Sequence, residues 1–470
     1  MSHKMPFSTL VFIFGFLPCV LLLNILIKKK YSNYWLALTS LLFYFWGEQQ
    51  YVWVILLSIF ANYIFGLLID SRNTVVGRRV FLTMAIVFNV GLLGYFKYTN
   101  FIVDQLIGTF GFYSTNNPIH LPIGISFFTF EAIAYIADVY RKKSKAMRNP
   151  VHLALYIAIF PHLIAGPVIR FHDVEKQLLE RTVEFDDFVY GLKRFIIGLA
   201  KKVLIANNVA LLADQVFNNP SVYSGSNVFW IGLVAYTVQL YFDFSGYSEM
   251  AVGLGYMLGF RFIENFNFPY ISKSVQEFWR RWNISLGNWF KDYIYIPLGG
   301  SKKGIVRTYF NLFVVFLITG IWHGAGWNFI LWGLFSFVCI LLEKTPLKKL
   351  FQLLPSIFHH LYLLLVISLS WVLFRTSSIK DAIYFYQQLF SSQLDTAFWR
   401  DVDNEQKFFL ILGVFLLFPI VPFFGKQLTR MFNFPLIILF FQNVILGVYF
   451  ILSISYLITS SYNPFIYFRF

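Results

Sequence analysis

The sequence predicts an all-helical, multi-pass integral membrane protein with about 11–14 spanning or re-entrant helices. Of its 470 residues, 58% are hydrophobic and 21% aromatic, while only 13% are charged. An ordinary soluble domain has roughly 45–50% apolar and about 25% charged residues. Apolar runs also recur along the whole chain, and no linker rich in Pro, Gly or Ser separates them. We therefore expect one membrane-embedded domain over residues 1–470.

The individual helices are predicted from apolar runs, because about 20 apolar residues cross the hydrocarbon core. Several runs are short or broken by Gly and Pro, which a membrane tolerates only against other protein or beside a water-filled cavity. We divide the domain into N-terminal helices (1–120), a catalytic core (121–375) with a cytoplasmic segment (261–307), and a C-terminal loop and helices (376–470). The runs are 7–27, 34–47, 51–69, 80–96, 122–139, 151–169, 188–212, 228–242, 247–260, two within 308–342, 357–374, 408–424 and 435–458.

The net charge of +15 has a topological explanation, since multi-pass proteins concentrate Lys and Arg in cytoplasmic loops. Basic residues at 28–30, 72–79 and 141–148 are expected to be cytoplasmic, which places the N-terminus on the extracytoplasmic side. The acidic stretch 376–407 would then be extracytoplasmic. Run 7–27 lacks a small-residue cleavage site and is expected to be a spanning helix rather than a removable signal peptide. The charge therefore gives no reason to expect a nucleic-acid partner.

Several classes of chemistry have no support in the sequence. Cys19 and Cys339 both lie inside apolar runs, which argues against a disulfide or a cysteine metal site. No Walker loop, His/Cys metal spacing or GxSxG elbow is present, so ATP hydrolysis, zinc chemistry and serine hydrolysis are not indicated. We expect no metal site and no permanently bound cofactor.

The strongest topological feature is a stretch of 35 residues between Arg307 and Glu343 that has no charged side chain. As one straight helix it would be about 52 Å long, too long for a single crossing. Both flanks are basic, so the chain is expected to enter the membrane and return. The Gly-rich sequence ITGIWHGAGW is the natural turning point and places His323, beside Trp322, at the apex of a hairpin. A buried neutral imidazole there is either a general base or a structural hydrogen-bonding group.

The second informative stretch, residues 265–304, mixes aromatic and basic side chains. One interpretation is an interfacial helix that anchors the fold. The other is a cytoplasmic cradle for an anionic, phosphate-bearing donor, in which arginines supply charge-assisted hydrogen bonds and the Asn283 amide contacts an acyl carbonyl. The candidate binding residues are Trp279, Arg280, Arg281, Trp282 and Lys291, together with Trp322 at the apex of the hairpin.

Two weaker polar sets lie in otherwise apolar sequence. Asp243, Ser245 and Glu249 are either a proton or substrate path or structural hydrogen-bonding groups. Glu131 and Asp138 are seven residues apart and thus share a helical face. We expect these two carboxylates to pair with nearby arginines.

The chain resembles the membrane-bound O-acyltransferase family, in particular its bacterial branch of alginate, polysaccharide and peptidoglycan O-acetyltransferase membrane subunits. The order of FWRRW, IPLGG and WHG makes the resemblance specific, and it covers most of the chain from residue 121 onward. The matching stretches are LPIGISFFTF (121–130), DVYRKK (138–143), LIAGPVIRF (163–171), DFSGYSEMAVGLGYMLGF (243–260), the 265–304 block, WHGAGWNFILWG (322–333) and NPFIYF (463–468).

The resemblance implies a ring of helices around a central tunnel in the bacterial inner membrane, with His323 as the catalytic histidine. It implies acetyl-CoA as cytoplasmic donor and, as acceptor, an extracytoplasmic protein or its glycan, in exopolysaccharide or cell-wall O-acetylation. This branch commonly has a second histidine where the chain has Asn283, so a mechanism with two histidines is not expected. The alternatives are D-alanyl transfer to teichoic acid from a carrier-protein thioester, and a non-enzymatic transporter or scaffold of a glycan-secretion complex.

Overall fold

Helices form nearly all of the regular structure. The computed structural model describes residues 6–110, 118–345, 353–431, 435–460 and 462–466. Over these residues no strand forms, although an isolated antiparallel bridge joins Phe266 and Trp282. The predicted all-helical class is therefore confirmed.

The helices belong to two compact units. The first comprises Met1–Phe195, Met250–Ile263 and Asn288–Ile294, and the second Ile196–Glu249, Glu264–Gly287 and Tyr295–Phe470. The first unit contains α1 (Val11–Leu26), α2 (Lys29–Gly47), α3 (Gln49–Ser71), α4 (Val75–Phe110), α5 (Ile125–Tyr140), α6 (Pro150–Ala158), α7 (Phe160–Leu163) and α8 (Phe171–Glu180).

Helices α9 (Phe185–Asn218) and α10 (Ser226–Met257) contribute residues to both units. The same holds for α12 (Ile284–Phe290), which continues into a π-helical turn at Lys291–Tyr295. The second unit also contains α11 (Val275–Arg281), α13 (Ile305–His323), α14 (Trp327–Lys344), α15 (Ser356–Arg375), α16 (Ile379–Leu389), α17 (Phe398–Asp401), α18 (Asn404–Leu416), α19 (Ile420–Met431) and α20 (Pro435–Thr459).

Eight helices in the described part of the chain are long and apolar enough to cross a membrane. They are α3, α4, α9, α10, α13, α14, α15 and α20. Many of their large apolar side chains are exposed, such as Phe440 at 64% and Ile451 at 66% on α20. Exposed apolar surface on this scale is costly in water and is expected where lipid is the solvent.

Some predicted boundaries are wrong. Run 151–169 is divided between α6 and α7, and run 408–424 is divided between α18 and α19. The runs 228–242 and 247–260 were expected to be separate spans, but both lie in the single helix α10. The polar break between them is accommodated because the Asp243 carboxylate pairs with the Lys202 ammonium at 2.8 Å, and both side chains are 2% exposed. A carboxylate neutralised in this way does not force the helix to end.

The predicted hairpin is confirmed, with α13 ending at His323 and α14 beginning at Trp327. The two helices pack closely through glycines. A Cβ on Gly320 would lie 2.5 Å from the Phe329 carbonyl oxygen, and a Cβ on Gly333 would lie 2.4 Å from that of Phe316. Small residues that allow such approach are the usual contact between membrane helices.

The expectation that Glu131 and Asp138 pair with arginines is also wrong, since both pair with histidines in the first unit. Glu131 lies 2.7 Å from the Nδ1 of His162, and Asp138 lies 2.8 Å from the Nδ1 of His172. His162 reaches this position because the helical path breaks at Ile159, just before Pro161. The partners come from other helices, which spacing along α5 does not predict.

Candidate active site

The backbone around Asn283 is held by a short antiparallel contact within the second unit. The Asn267 amide donates to the Arg281 carbonyl at 3.0 Å, and the Ile284 amide donates to the Asn265 carbonyl at 3.0 Å. The Asn265 side chain extends this contact, because its Oδ1 accepts from the Ser285 amide at 3.1 Å and from the Ser285 hydroxyl at 2.9 Å. The end of α11 and the start of α12 are thereby fixed to one neighbouring segment.

Asn283 itself occupies the junction between α11 and α12 with a φ of 45°. This left-handed region is unfavourable for most side chains, but Asn and His adopt it several-fold more often than other non-glycine residues. The side chain is 5% exposed, and its Oδ1 accepts no hydrogen bond from any residue that the structure describes. A buried amide oxygen without a hydrogen bond lowers the stability of the folded protein, and a hydrogen-bond donor on a ligand would offset this loss.

Helix α11 is anchored at its beginning. The Ser274 hydroxyl accepts from the Glu277 amide at 3.0 Å, and Glu343 at the end of α14 accepts from the amides of Val275 at 2.5 Å and Gln276 at 3.1 Å. These contacts satisfy amides that a helix N-terminus leaves without intrahelical partners. The α14 helix therefore sets the position of α11.

The two predicted arginines of α11 differ in their surroundings. Arg280 is exposed. Arg281 donates to Glu277 at 3.0 Å and to the Asn267 carbonyl at 3.2 Å. Burial alone would raise the pKa of Glu277, but hydrogen bonds from the Lys273 amide and from Arg281 hold it below its usual value. Arg281 thus takes part in local structure, while Arg280 presents its guanidinium to solvent.

His323 is buried, at 6% exposure, and aromatic rings surround it. The centroid of its ring lies 5.0 Å from that of Trp332, 5.2 Å from that of Phe374 and 4.8 Å from that of its chain neighbour Trp322, each in an edge-on arrangement. The apex of the hairpin is fixed as well, because the Asn328 amide donates to the carbonyl of Thr376 at 2.7 Å, just past the end of α15. The imidazole therefore has a defined position in an environment with little access for water.

The same aromatic cluster connects the hairpin with α11. The ring centroid of Trp332 lies 5.5 Å from that of Trp279 and 6.0 Å from that of Trp371. The centroids of Trp371 and Trp282 are 5.1 Å apart. Four predicted residues, His323, Trp322, Trp279 and Trp282, are thus brought into one cluster, which we call the indole cluster together with Trp332, Trp371 and Phe374. Asn283 follows Trp282 directly in the chain.

Lys291, by contrast, lies in the first unit and is exposed. The adjoining residues of that unit are firmly held. Arg170 pairs with Asp292, Tyr293 donates to Asp138 at 2.9 Å, and the Trp289 ring stacks on Phe130 at 4.0 Å. The Lys291 side chain therefore projects from a rigid segment.

The weaker polar set is mainly engaged in ion pairs. Asp243 pairs with Lys202 and also accepts from the Ile466 amide at 2.8 Å. Glu249 pairs with Lys201. These contacts favour the structural interpretation of both carboxylates. The buried Ser245 hydroxyl has no hydrogen bond to the residues that the structure describes.

The Asp243 contact fixes the last described residues of the chain. The Lys202 ammonium donates to Asn207 at 2.6 Å and also to the Pro464 carbonyl. The Phe465 ring stacks on Tyr247 at 4.4 Å. Tyr467 and Phe468, which complete the NPFIYF stretch, lie outside the described residues.

Sequence reasoning missed several residues that form the site. The side chains of Asn265 and Glu343 accept hydrogen bonds from backbone amides and so position the chain around Asn283. Trp371 and Phe374 complete the indole cluster. The signal for Asn265 was its place among aromatic residues in NFNF, and the signal for Glu343 was its position as the first charge after the apolar stretch. Among the described residues, no group of three or more His, Cys, Asp or Glu side chains is arranged to hold a metal ion.

Comparison with known proteins gives a consistent result. The model of the membrane-bound O-acyltransferase family matches residues 41–374. The chain is 44% identical over 394 residues to the probable alginate O-acetylase of Azotobacter vinelandii, covering 82% of this chain and 78% of that protein. It is 42% identical to that of Pseudomonas aeruginosa, covering 92% and 83%.

A third relative is named for a different acceptor. The chain is 35% identical over 412 residues to the peptidoglycan O-acetyltransferase of Helicobacter pylori, covering 80% of this chain and 78% of that protein. A family match over more than half of the chain, together with relatives above 30% identity along most of their length, is decisive. The chain is therefore an acyltransferase that belongs to the membrane-bound O-acyltransferase family.

Proposed function

We propose that this protein is a membrane O-acetyltransferase that takes acetyl groups from cytoplasmic acetyl-CoA and transfers them across the inner membrane to an extracytoplasmic hydroxyl. The acceptor belongs to a polysaccharide or to peptidoglycan and is reached through a partner protein. The observation that carries the proposal is the indole cluster, which encloses His323 and includes Trp282, the chain neighbour of the buried Asn283. The O-acetylase and O-acetyltransferase activities for which the relatives are named support acetyl as the acyl group.

The direction of transfer follows from the basic residues at one end of the α13–α14 hairpin and from the length of α13. Basic residues cluster where α13 begins and α14 ends, at Lys302, Lys303, Arg307 and Lys344, and the positive-inside rule assigns such an end to the cytoplasm. His323 is at the far end of α13, about 27 Å away along the helix axis at 1.5 Å per residue. A donor that enters from the basic side and an acceptor that enters from the other side would meet near His323.

The proposed reaction needs one base and one hydrogen-bond donor. Neutral His323 takes the proton of the acceptor hydroxyl as its oxygen attacks the thioester carbonyl carbon. A C–O bond forms and the C–S bond breaks, and the CoA thiolate leaves and recovers the proton from the imidazolium. The Asn283 amide donates a hydrogen bond to the carbonyl oxygen, on which negative charge develops.

The donor-binding residues have different roles in this proposal. In the second unit, Arg280 is an exposed cation available to phosphate groups, whereas Arg281 keeps the Asn267–Arg281 contact in place. Lys291, in the first unit, is likewise an exposed cation. The rings of Trp279, Trp282 and Trp322 form apolar walls for the acyl group and exclude water from the thioester.

The donor is tested with purified protein in proteoliposomes. We expect labelled acetyl-CoA to lose its acetyl group only when a hydroxyl acceptor, such as an alginate oligosaccharide, and the cognate extracytoplasmic protein are supplied. Chromatography of the labelled acceptor measures the transfer. An intact protein that cleaves a D-alanyl carrier thioester but leaves acetyl-CoA untouched would overturn the proposed donor.

A series of substitutions at Asn283 distinguishes the role of its side chain from that of its backbone conformation. We expect Asn283→Gly and Asn283→Leu to lower kcat/KM for acetyl transfer by about 10²–10³-fold, the usual cost of losing one oxyanion donor. Asn283→His should retain more activity than Asn283→Leu, because His keeps a polar group and tolerates a positive φ. Gly preserves the left-handed backbone without any amide. Near-normal activity of Asn283→Gly would show that the position serves only the backbone turn.

A further inference from the structure

A cavity of about 650 Å³ lies in the second unit, at the end of α13 and α14 opposite His323. Its walls are the first turn of α13, the last turn of α14, the beginning of α15 and the loop before α11. Its volume lies within the roughly 300–1,000 Å³ range of small-molecule sites. The cavity includes part of the 265–304 stretch, but no residue that has a role in the proposed acetyl transfer lines it.

The charges in the cavity wall favour an anionic ligand. Lys273 and Lys344 line the cavity together with a single carboxylate among the described lining residues, that of Glu343. The two oxygens of Glu343 accept from the amides of Val275 and Gln276, and Tyr362 provides a further hydrogen bond. These hydrogen bonds stabilise the carboxylate, and the Lys344 ammonium interacts with it electrostatically. Two lysines against one carboxylate leave the cavity wall with a net positive charge, which attracts an anionic ligand.

Hydroxyl groups complete the polar surface. Ser274, Ser301, Thr308 and Tyr309 line the same cavity. The Ser274 oxygen accepts from the Glu277 amide, so its proton can be donated to a ligand. The Thr308 hydroxyl donates to the Gly304 carbonyl at 2.9 Å, so its oxygen remains an acceptor. Both donors for phosphate oxygens and acceptors for alcohol groups are available.

The surroundings of the cavity are apolar and exposed. Ile305 lines the cavity and is 65% exposed, and Ile357 (58%) and Leu361 (53%) are exposed on the first two turns of α15. These residues lie on helices long and apolar enough to span the membrane. A ligand with a charged head and long apolar chains would contact both surfaces at once, whereas a soluble metabolite would leave the apolar flank uncovered.

We propose that this cavity binds the headgroup of an anionic phospholipid of the cytoplasmic leaflet. Its phosphate lies between Lys273 and Lys344, its glycerol hydroxyls contact the Ser and Thr side chains, and its acyl chains lie against α13 and α15. The basic residues at this end of the hairpin assign it to the cytoplasmic side, where anionic lipids attract Lys and Arg near the membrane surface.

The proposal is tested by native mass spectrometry of the full-length protein in detergent, titrated with dioleoyl phosphatidylglycerol or dioleoyl phosphatidylcholine. We expect phosphatidylglycerol to bind more tightly. K273Q/K344Q should weaken its binding by about 30-fold, the equivalent of about 1 kcal/mol per lysine. K302Q/K303Q is the matched control, because it removes the same charge from the same end of the hairpin without altering a lining residue; its effect should stay below about twofold.

Inorganic phosphate and free coenzyme A are added as competitors. Neither should displace phosphatidylglycerol from the wild-type protein. Displacement by either compound, or equal weakening by both double variants, would overturn the proposal in favour of a soluble phosphate ligand or a diffuse charge effect. Should K273Q/K344Q fail to fold, the single variant K344Q is compared with K302Q, with an expected weakening of about fivefold.

Discussion

Replacing His323 by Gln is expected to lower acetyl transfer by about 10²–10⁴-fold while the protein remains folded. Gln keeps a polar side chain of comparable length within the indole cluster, but it cannot accept the hydroxyl proton. The loss corresponds to about 3–5.5 kcal/mol of transition-state stabilisation. The measurement is kcat/KM for labelled acetyl transfer, with thermal unfolding and gel filtration as the test of folding.

A matched substitution distinguishes loss of the base from loss of any histidine. His152 lies on α6 in the first unit and is half-buried. The His152→Gln variant makes the same chemical change away from the indole cluster, and we expect it to keep nearly all activity. A folded His323→Gln protein that transfers acetyl groups at close to the wild-type rate would refute the catalytic role.

The Lys202→Met substitution is expected to lower the free energy of unfolding by about 3–5 kcal/mol, because it leaves the buried Asp243 carboxylate without its counter-ion. Both side chains are 2% exposed, so solvent cannot replace the lost partner. The last described residues should also loosen, since Asp243 and Lys202 bind the Ile466 amide and the Pro464 carbonyl. Chemical unfolding in detergent measures the first effect, and limited proteolysis near the C-terminus measures the second.

The neighbouring lysine provides the control. Lys201 pairs with Glu249, but its side chain is 28% exposed and that of Glu249 14%. Removing a solvated partner usually costs only about 0–1 kcal/mol, so Lys201→Met should be mild. The double variant Lys202→Met/Asp243→Leu should be more stable than Lys202→Met alone, since no buried charge remains. Equal effects of Lys201→Met and Lys202→Met would contradict this explanation of the pair.

The hairpin and its apex were predictable because the determining features are local. A stretch of 35 uncharged residues exceeds one crossing, and glycines mark where the chain turns. The structure confirms that α13 ends at His323 and that α14 begins four residues later. The acyltransferase assignment was predictable for a similar reason, since its motifs are short contiguous stretches.

Other features depend on pairs that are distant in sequence. The Trp282–Trp371 contact joins the junction between α11 and α12 to α15, and the Asp243–Ile466 hydrogen bond spans 223 positions. The prediction of two separate spans within α10 failed because hydropathy counts Asp243 as a break. In the structure, Lys202 neutralises this carboxylate. The prediction of arginine partners for Glu131 and Asp138 also failed. Pairing between helices depends on how each helix is rotated and how deep it lies, which the α5 sequence does not encode.

The sequence by itself determined the helical class, the turn at His323 and the acyltransferase family, because apolar length, glycine position and contiguous motifs act along the chain. Only the tertiary structure decided that His323 is enclosed by Trp332 and Phe374 and that Asn283 has a positive φ. The physical reason is that close packing and buried hydrogen bonds arise between elements. Their partners are selected by three-dimensional approach rather than by spacing in the chain.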